Sequence, residues 1–262
     1  MKDILREIIA HKRNEVDKQK KILHLKEIEK VIEMQQEAAP SLKEALLNSS
    51  HGIIAEFKRK SPSKSWMNQY ADASVIPLQY EDSGAAALSI LTNEKYFGGT
   101  VKDMQQTIAS TSIPVLRKEF IVDEYQIYES KMHGAHAILL IAAALSPQQC
   151  KAFTKTALDL GLEVLLELHD ETELDHISPL NNMIGVNNRN LGSFITDVGK
   201  SYQMIDQLPS EAVLISESGI SDAKTIYELR QVGYRGFLIG ENFMKTENPG
   251  RTLQQFIADI HE

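Results

Sequence analysis

The 262-residue chain has a single cysteine, Cys150. One thiol excludes an internal disulfide framework and any multi-cysteine metal site, and it fits a reducing compartment, the cytoplasm. Long apolar runs are also missing. The longest, Ala135 to Leu145, is broken by His136 and is far short of the roughly 20 residues a membrane-spanning helix needs. The opening MKDILREIIAHKR mixes acids with bases and has no apolar core followed by small residues, so it does not read as a secretory signal. There is no Pro-, Gly- or Ser-rich linker and no low-complexity tract. No strand is followed by G-x-G-x-x-G or a P-loop pattern. Excess positive charge is absent too. The net charge of −8 argues against general nucleic-acid binding. The charge is uneven, with +3 on residues 1–30 and −11 on the remainder.

What is present is a pattern. Eight short apolar, β-branched runs occupy 53–57, 85–91, 114–120, 135–141, 163–169, 182–188, 212–218 and 236–240. Most are apolar throughout, as strands buried on both faces of a parallel sheet should be. The stretches between them read as helices. Ser146-Pro147 supplies an N-cap and an N1 proline, with Gly161 at the far end. Asp123 opens a helix closed by Gly134, Asp170 with Glu173 resembles a capping box, and Ser221 opens a helix closed by Gly233. Strand starts advance by about 26 residues, one βα unit. Eight such units place the chain in the α/β class as a (β/α)8 TIM barrel. An open doubly wound sheet is the alternative, weakened by the missing nucleotide loop. The expected division is a helical extension, 1–50, packed on a single barrel domain, 51–262. Ile4, Leu5, Ile8 and Ile9 form one stripe of the extension, and Leu23, Ile28, Val31 and Ile32 another. A basic helix touching a membrane or an anionic partner is the competing reading, weakened by the interspersed acids.

Barrel enzymes work at the C-terminal ends of their strands. There the first strand ends Glu56-Phe57-Lys58, the third Arg117-Lys118-Glu119-Phe120, and the fifth carries Glu167. The sixth ends Asn187-Asn188-Arg189, the seventh Glu217-Ser218-Gly219, and the eighth Gly240-Glu241. Side chains alternate along a strand, so Glu56 shares a face with Lys58, Lys118 with Phe120, and Asn187 with Arg189. The inward set becomes Lys58, Lys118 and Arg189 against Glu56, Glu167 and Glu217, enough for both a general acid and a general base. Gly219 and Gly240 follow the last two strands, where barrels commonly bind phosphate through backbone amides. His133 and His136 have metal-like spacing but no third ligand, and are read as ordinary core or surface histidines. His169 is read as a strand-end loop histidine, with support of Glu167 as the alternative. Cys150 is read as structural.

These residues carry a resemblance. IAEFKRKSPSK (54–64), SILTNEKYFGG (89–99), PVLRKEFIVDEYQI (114–127), ILLI (138–141), LLELHDETEL (165–174), IGVNNRNL (184–191), ISESGI (215–220) and LIGENFM (238–244) look like indole-3-glycerol phosphate synthase, in order and across the whole barrel. The resemblance implies a carbon-carbon lyase of tryptophan biosynthesis. Such an enzyme closes, decarboxylates and dehydrates 1-(2-carboxyphenylamino)-1-deoxyribulose 5-phosphate with no cofactor or metal. It implies Lys118 as general acid, Lys58 as the holder of the carboxylate that assists the acid chemistry, and Glu167 as general base. Glu56 and Asn187 would orient them. Ser61, Phe120, Arg189, Leu191, Glu217 and Ser218 would contact substrate, with Phe120 beside its aromatic ring. Gly219, Gly240 and Glu241 would form the phosphate cradle together with Ser61. The implied partner is a small anionic sugar phosphate, with no nucleic acid and no membrane, and the chain is expected to be a monomer, or else a weak homodimer. One departure stands out: after SPSK the family usually has glycine and then a small or aliphatic residue, whereas Ser65 and Trp66 follow here. Trp66 either covers the substrate or packs on the barrel. A sugar-phosphate isomerase of the same pathway would need a cysteine or aspartate acid/base pair at strands one and six. A non-catalytic scaffold would be suggested by loss of Lys118 or Glu167.

Overall fold

Eight parallel strands close on themselves in chain order. They are β1 (Ile53–Phe57), β2 (Ala87–Leu91), β3 (Val115–Lys118), β4 (Ala137–Ile141), β5 (Glu163–Leu168), β6 (Met183–Asn187), β7 (Val213–Glu217) and β8 (Gly236–Ile239). The computed structural model describes residues 4–35, 39–190 and 192–260. The barrel closes through Ala55 beside Ile239 and Glu56 beside Ser89. Sequence runs and strands coincide to within a few residues. The excess at run ends is apolar or polar chain that leaves the sheet to enter a loop.

Two apolar layers follow from strand alternation. One set, including Ile53, Phe57, Leu88 and Ile138, faces outward against the helices. The other, including Ile54, Leu116, Leu139 and Ile215, fills the barrel. Leu42 and Leu46 join this inner set from α3 (Leu42–Asn48), which plugs the N-terminal end. Glu163, at the start of β5, fixes that plug. Its carboxylate accepts from Ser41 Oγ at 2.6 Å and from the Leu42 and Lys43 amides, matching the positive end of a helix.

The helical signals hold with local shifts. Ser146 caps the helix Pro147–Asp159 in a capping box. Asp123 accepts the Tyr125 amide at 2.9 Å. Asp222, one residue after the expected Ser221, caps Ala223–Gln231. The fifth connection differs more. It is a 3-10 segment, Glu171–His176, that ends before Pro179, since the residue before a proline disfavours helix. Asp170 caps it, but Glu173 forms no capping box. Its carboxylate turns back to accept the His169 amide at 2.7 Å.

The opening residues form α1 (Ile4–Ile22) and α2 (Leu25–Glu33). Val16 and Ile28 pack with Tyr125 of the helix after β3. Lys12 of α1 is buried and pairs with Glu119 Oε2 at 3.0 Å, and Lys20 pairs with Asp123 at 2.6 Å. The segment therefore runs from the barrel mouth, where α1 lies, to its base, where α3 lies. Among the described residues no helix is long and apolar enough to cross a membrane.

Candidate active site

A cavity of about 420 Å³ opens at the C-terminal ends of the strands, a size suited to a small metabolite. Lys118, Glu167, Asn187 and Glu217 sit at neighbouring register positions in the top inward layer. Leu91 pairs with Lys118, Ile141 with Glu167, and Asn187 with Glu217. The alternation expected from sequence brings the predicted residues together here. Glu56, Lys58, Ser61, Lys118, Phe120, Glu167, Asn187, Arg189, Glu217, Ser218, Gly219, Gly240 and Glu241 all line the cavity. Leu191 lies outside the described residues.

Lys118 is the hub. Its ammonium donates to Glu167 Oε2 at 3.0 Å and to Glu217 Oε2 at 2.5 Å. Burial works against its charge, but Glu167, Glu217 and Glu56 outweigh it and raise the pKa above the ordinary lysine value. Burial alone would push Glu167 up, yet Lys118 and then His169 hold it well below the usual carboxylate range. Glu217 goes the other way. Burial, reinforced by nearby Glu167, outweighs Lys118 and pushes it up to about 7. Its Oε1 is buried with no hydrogen-bond partner. Two carboxylates share one ammonium, so the cluster titrates as a unit with a proton held near neutrality. Lys58 donates to Glu56 Oε1 at 2.5 Å.

Two glycines make this crowding possible. Gly185 faces inward two residues before Asn187, and a Cβ there would sit 2.3 Å from Glu217 Oε1. Gly240 faces Glu56, whose Cβ and Oε1 would lie 2.9 and 2.6 Å from an added Cβ. At Gly240, where a close approach to phosphate is expected from the sequence, the close approach in the structure is to the Glu56 side chain. Gly185 carried no sequence reading. Its signal was its parity with Asn187 in IGVNN.

The far wall is built by loops. Arg189 donates to Glu241 Oε2 and to Ser63 Oγ, both at 3.1 Å, and its Nε is buried without a partner. Glu241 has Lys64 at 3.8 Å. Burial opposes its charge, but Arg189, Lys58 and Lys64 lower its pKa. Ser218 and Gly219 have φ of +67° and +80°. A non-glycine in that region costs energy and is over-represented at functional sites. The Ser218 carbonyl is held by Asn188 Nδ2 at 3.1 Å, and Asn188 is itself locked by Ser201 and Ser216.

The loop after β1 shows why glycine is usual at the position of Ser65. Lys60–Ser61 pairs antiparallel with Ser65–Trp66, and Ser65 has φ of +55°, the region glycine favours. Arg59 anchors the loop with a two-pronged pair to Asp103, both contacts 2.7 Å. Trp66 packs against Gly98 with the Lys60 ammonium 4.8 Å over its ring. It does not line the cavity.

Sequence reasoning missed the apolar walls. Ile4, Leu5 and Ile8 of α1, Phe97, and Phe194 line the cavity, with Phe97 6.0 Å from Phe120 between centroids. The α1 stripe was visible, but its seat at the mouth depends on contacts such as Lys12 to Glu119, 107 positions apart. His169 is buried beside Glu167 rather than in an open loop. His136 Nδ1 accepts the Val115 amide at 2.9 Å, with burial first and then Lys131 lowering its pKa to about 4. His133 contacts Gln105. No three His, Cys, Asp or Glu side chains cluster to hold a metal among the described residues. Cys150 is buried, and burial pushes its thiol up to about 12.

Fold and site together define a (β/α)8-barrel protein with a charged acid–base cluster at the strand ends. Solved barrels share the architecture at low identity. 3-Hexulose-6-phosphate synthase from Salmonella typhimurium superposes with a TM-score of 0.61 at 13% identity, covering 80% of this chain and all of that one. A chain of the tryptophan synthase complex from Pyrococcus furiosus gives 0.59 at 14%, covering 80% and 98%. The family profile of indole-3-glycerol phosphate synthase matches residues 5–256. Indole-3-glycerol phosphate synthase from Bacteroides thetaiotaomicron is 53% identical over 260 residues, covering 99% of this chain and all of its own. That from Polaromonas naphthalenivorans is 37% identical over 263 residues, again 99% and 100%. The chain belongs to the indole-3-glycerol phosphate synthase family.

Proposed function

We infer that the barrel mouth closes, decarboxylates and dehydrates 1-(2-carboxyphenylamino)-1-deoxyribulose 5-phosphate, giving indole-3-glycerol phosphate, CO2 and water in tryptophan biosynthesis. The observation that carries the residue roles is the Lys118 ammonium, inside the cavity and held between Glu167 and Glu217.

Ring closure needs a proton donor on the substrate ketone, and Lys118 is a charged donor in a largely desolvated site. Lys58, oriented by Glu56, holds the carboxylate whose carbon leaves as CO2 and assists loss of the hydroxyl as water. Asn187 keeps the β6 end in place, its Oδ1 accepting the Arg189 amide at 3.0 Å. Glu167 stays ionised and takes the proton whose removal restores aromaticity. Phe120, backed by Phe97, flanks the aromatic ring. Arg189, Ser218 and Glu217 contact the substrate. The phosphate lies toward Ser61, Gly219, Gly240 and the backbone of Glu241. Lys58, Lys118 and Arg189 supply the cationic groups that meet the substrate's anionic ends, each paired with a carboxylate of the protein until then. We further propose that the protein is cytoplasmic and a monomer or else a weak homodimer.

The test is indole fluorescence with purified protein and this substrate. Wild type should form product, and Glu167→Gln should lose about 10²–10³-fold in kcat while the barrel stays folded. A fully active Glu167→Gln would remove Glu167 from the base role.

A further inference from the structure

His169 does not line the cavity, yet it is buried directly behind Glu167. Its Nε2 lies 3.2 Å from Glu167 Oε1, and its Nδ1 lies 3.5 Å from Glu173 Oε2. Glu173 also accepts the His169 backbone amide, so one carboxylate steadies both backbone and ring. The turned-back Glu173 of the fifth connection has its explanation here. Glu167 presents its other oxygen to Lys118. The carboxylate is therefore clamped between an ammonium on the cavity side and an imidazole behind it. Neither ring nitrogen is aligned for a full hydrogen bond, so the contact is one of charge at ion-pair distance.

The other groups around the ring leave this balance intact. Lys200 donates to the His169 carbonyl at 3.3 Å. Asp170, next in the chain, is exposed and accepts from Thr172. Cys150, on the helix packed against this segment, has its thiol pushed up and is neutral. Lys118 and then Glu217 lie beyond Glu167.

We propose that His169 is a positioning residue, a buried cation that holds Glu167 ionised and aimed at the cavity and so sets the pH range in which Glu167 takes a proton. This rests on the reading of Glu167 as the base. Burial opposes the charge on His169, but Glu167 and Glu173 outweigh it and lift the pKa to about 9. Because this value exceeds the ordinary 6.5, the stabilisation is full below pH 6.5 and is lost as pH rises through about 9. A neutral side chain at this position leaves Glu167 with one cation instead of two, so its pKa rises.

The experiment measures kcat and KM from pH 5 to 10 for wild type, His169→Gln, His169→Ala, Glu173→Gln and Glu167→Gln, with the 15N imidazole resonances titrated in wild type and Glu173→Gln. His169→Gln should lose roughly 10-fold in kcat, with KM nearly unchanged, and the fall of wild-type kcat as pH rises through about 9 should be absent from its profile. His169→Ala should lose more, and the His169 resonance should titrate near 9 in wild type and lower in Glu173→Gln. A His169→Gln profile superposing on wild type, or a rate loss that leaves a basic limb near pH 9 in place, overturns the proposal. So does a wild-type His169 resonance that titrates near 6.5, which requires no variant to fold. Turnover surviving in Glu167→Gln overturns the base assignment as well, and thereby separates the two failures.

Discussion

Strand β3 carries two buried charge clusters one residue apart, and they have opposite characters. Arg117 faces outward. Its guanidinium donates to Glu129 at 2.7 Å, Ser130 at 2.9 Å and Thr92 at 3.2 Å. Glu119, on the same side, is satisfied by Lys12, Thr92, Asn93 and the Phe120 amide. Lys118 faces inward onto two carboxylates that cannot both be fully neutralised by it, and one oxygen of Glu217 has no partner. The difference teaches that buried charge alone does not mark a site. A closed network holds helices to the sheet, whereas the cluster at the cavity keeps its charges only partly matched.

Substitutions on the two faces of β3 should separate the two roles. The largest effect is on the inner face. Lys118→Ala should cut kcat by about 10³-fold or more, read in the indole assay, with a smaller loss of stability than on the outer face. On that outer face, Arg117→Met leaves Glu129 buried without its cation. It should cost about 3–5 kcal/mol in urea unfolding while the folded fraction keeps nearly full kcat. Gly185→Ala tests whether crowding tunes the inner cluster. The methyl collides with Glu217, so kcat should fall roughly 10-fold, with KM also raised. The smallest effect is expected at Ser65→Gly. Relief of the left-handed strain and the added freedom of the unfolded chain nearly cancel, within about 0.5 kcal/mol, measured by thermal unfolding.

Much of this contrast was legible before the structure. Period-two alternation in PVLRKEF puts Lys118 and Arg117 on opposite faces, and the same rule groups Glu56 with Lys58 and Asn187 with Arg189. The eight apolar runs sufficed for the barrel, because strands buried on both faces leave a continuous signature. What alternation cannot carry is contact between distant segments. The α1 stripe was visible, but not that Ile4, Leu5 and Ile8 would wall the cavity. His169 read as a loop residue because its burial depends on Glu173 folding back, which a capping-box pattern concealed. Gly185 was silent because an absent side chain matters only once Glu217 is known to fill its space.

The most direct measurement is paired binding and single-turnover kinetics of Lys118→Ala with the carboxyphenylamino-deoxyribulose phosphate. Lys118 as the acid of ring closure predicts a variant that still binds the substrate, through Arg189 and the phosphate end, yet forms no indole on the wild-type timescale. Indole formation at the wild-type rate would contradict it.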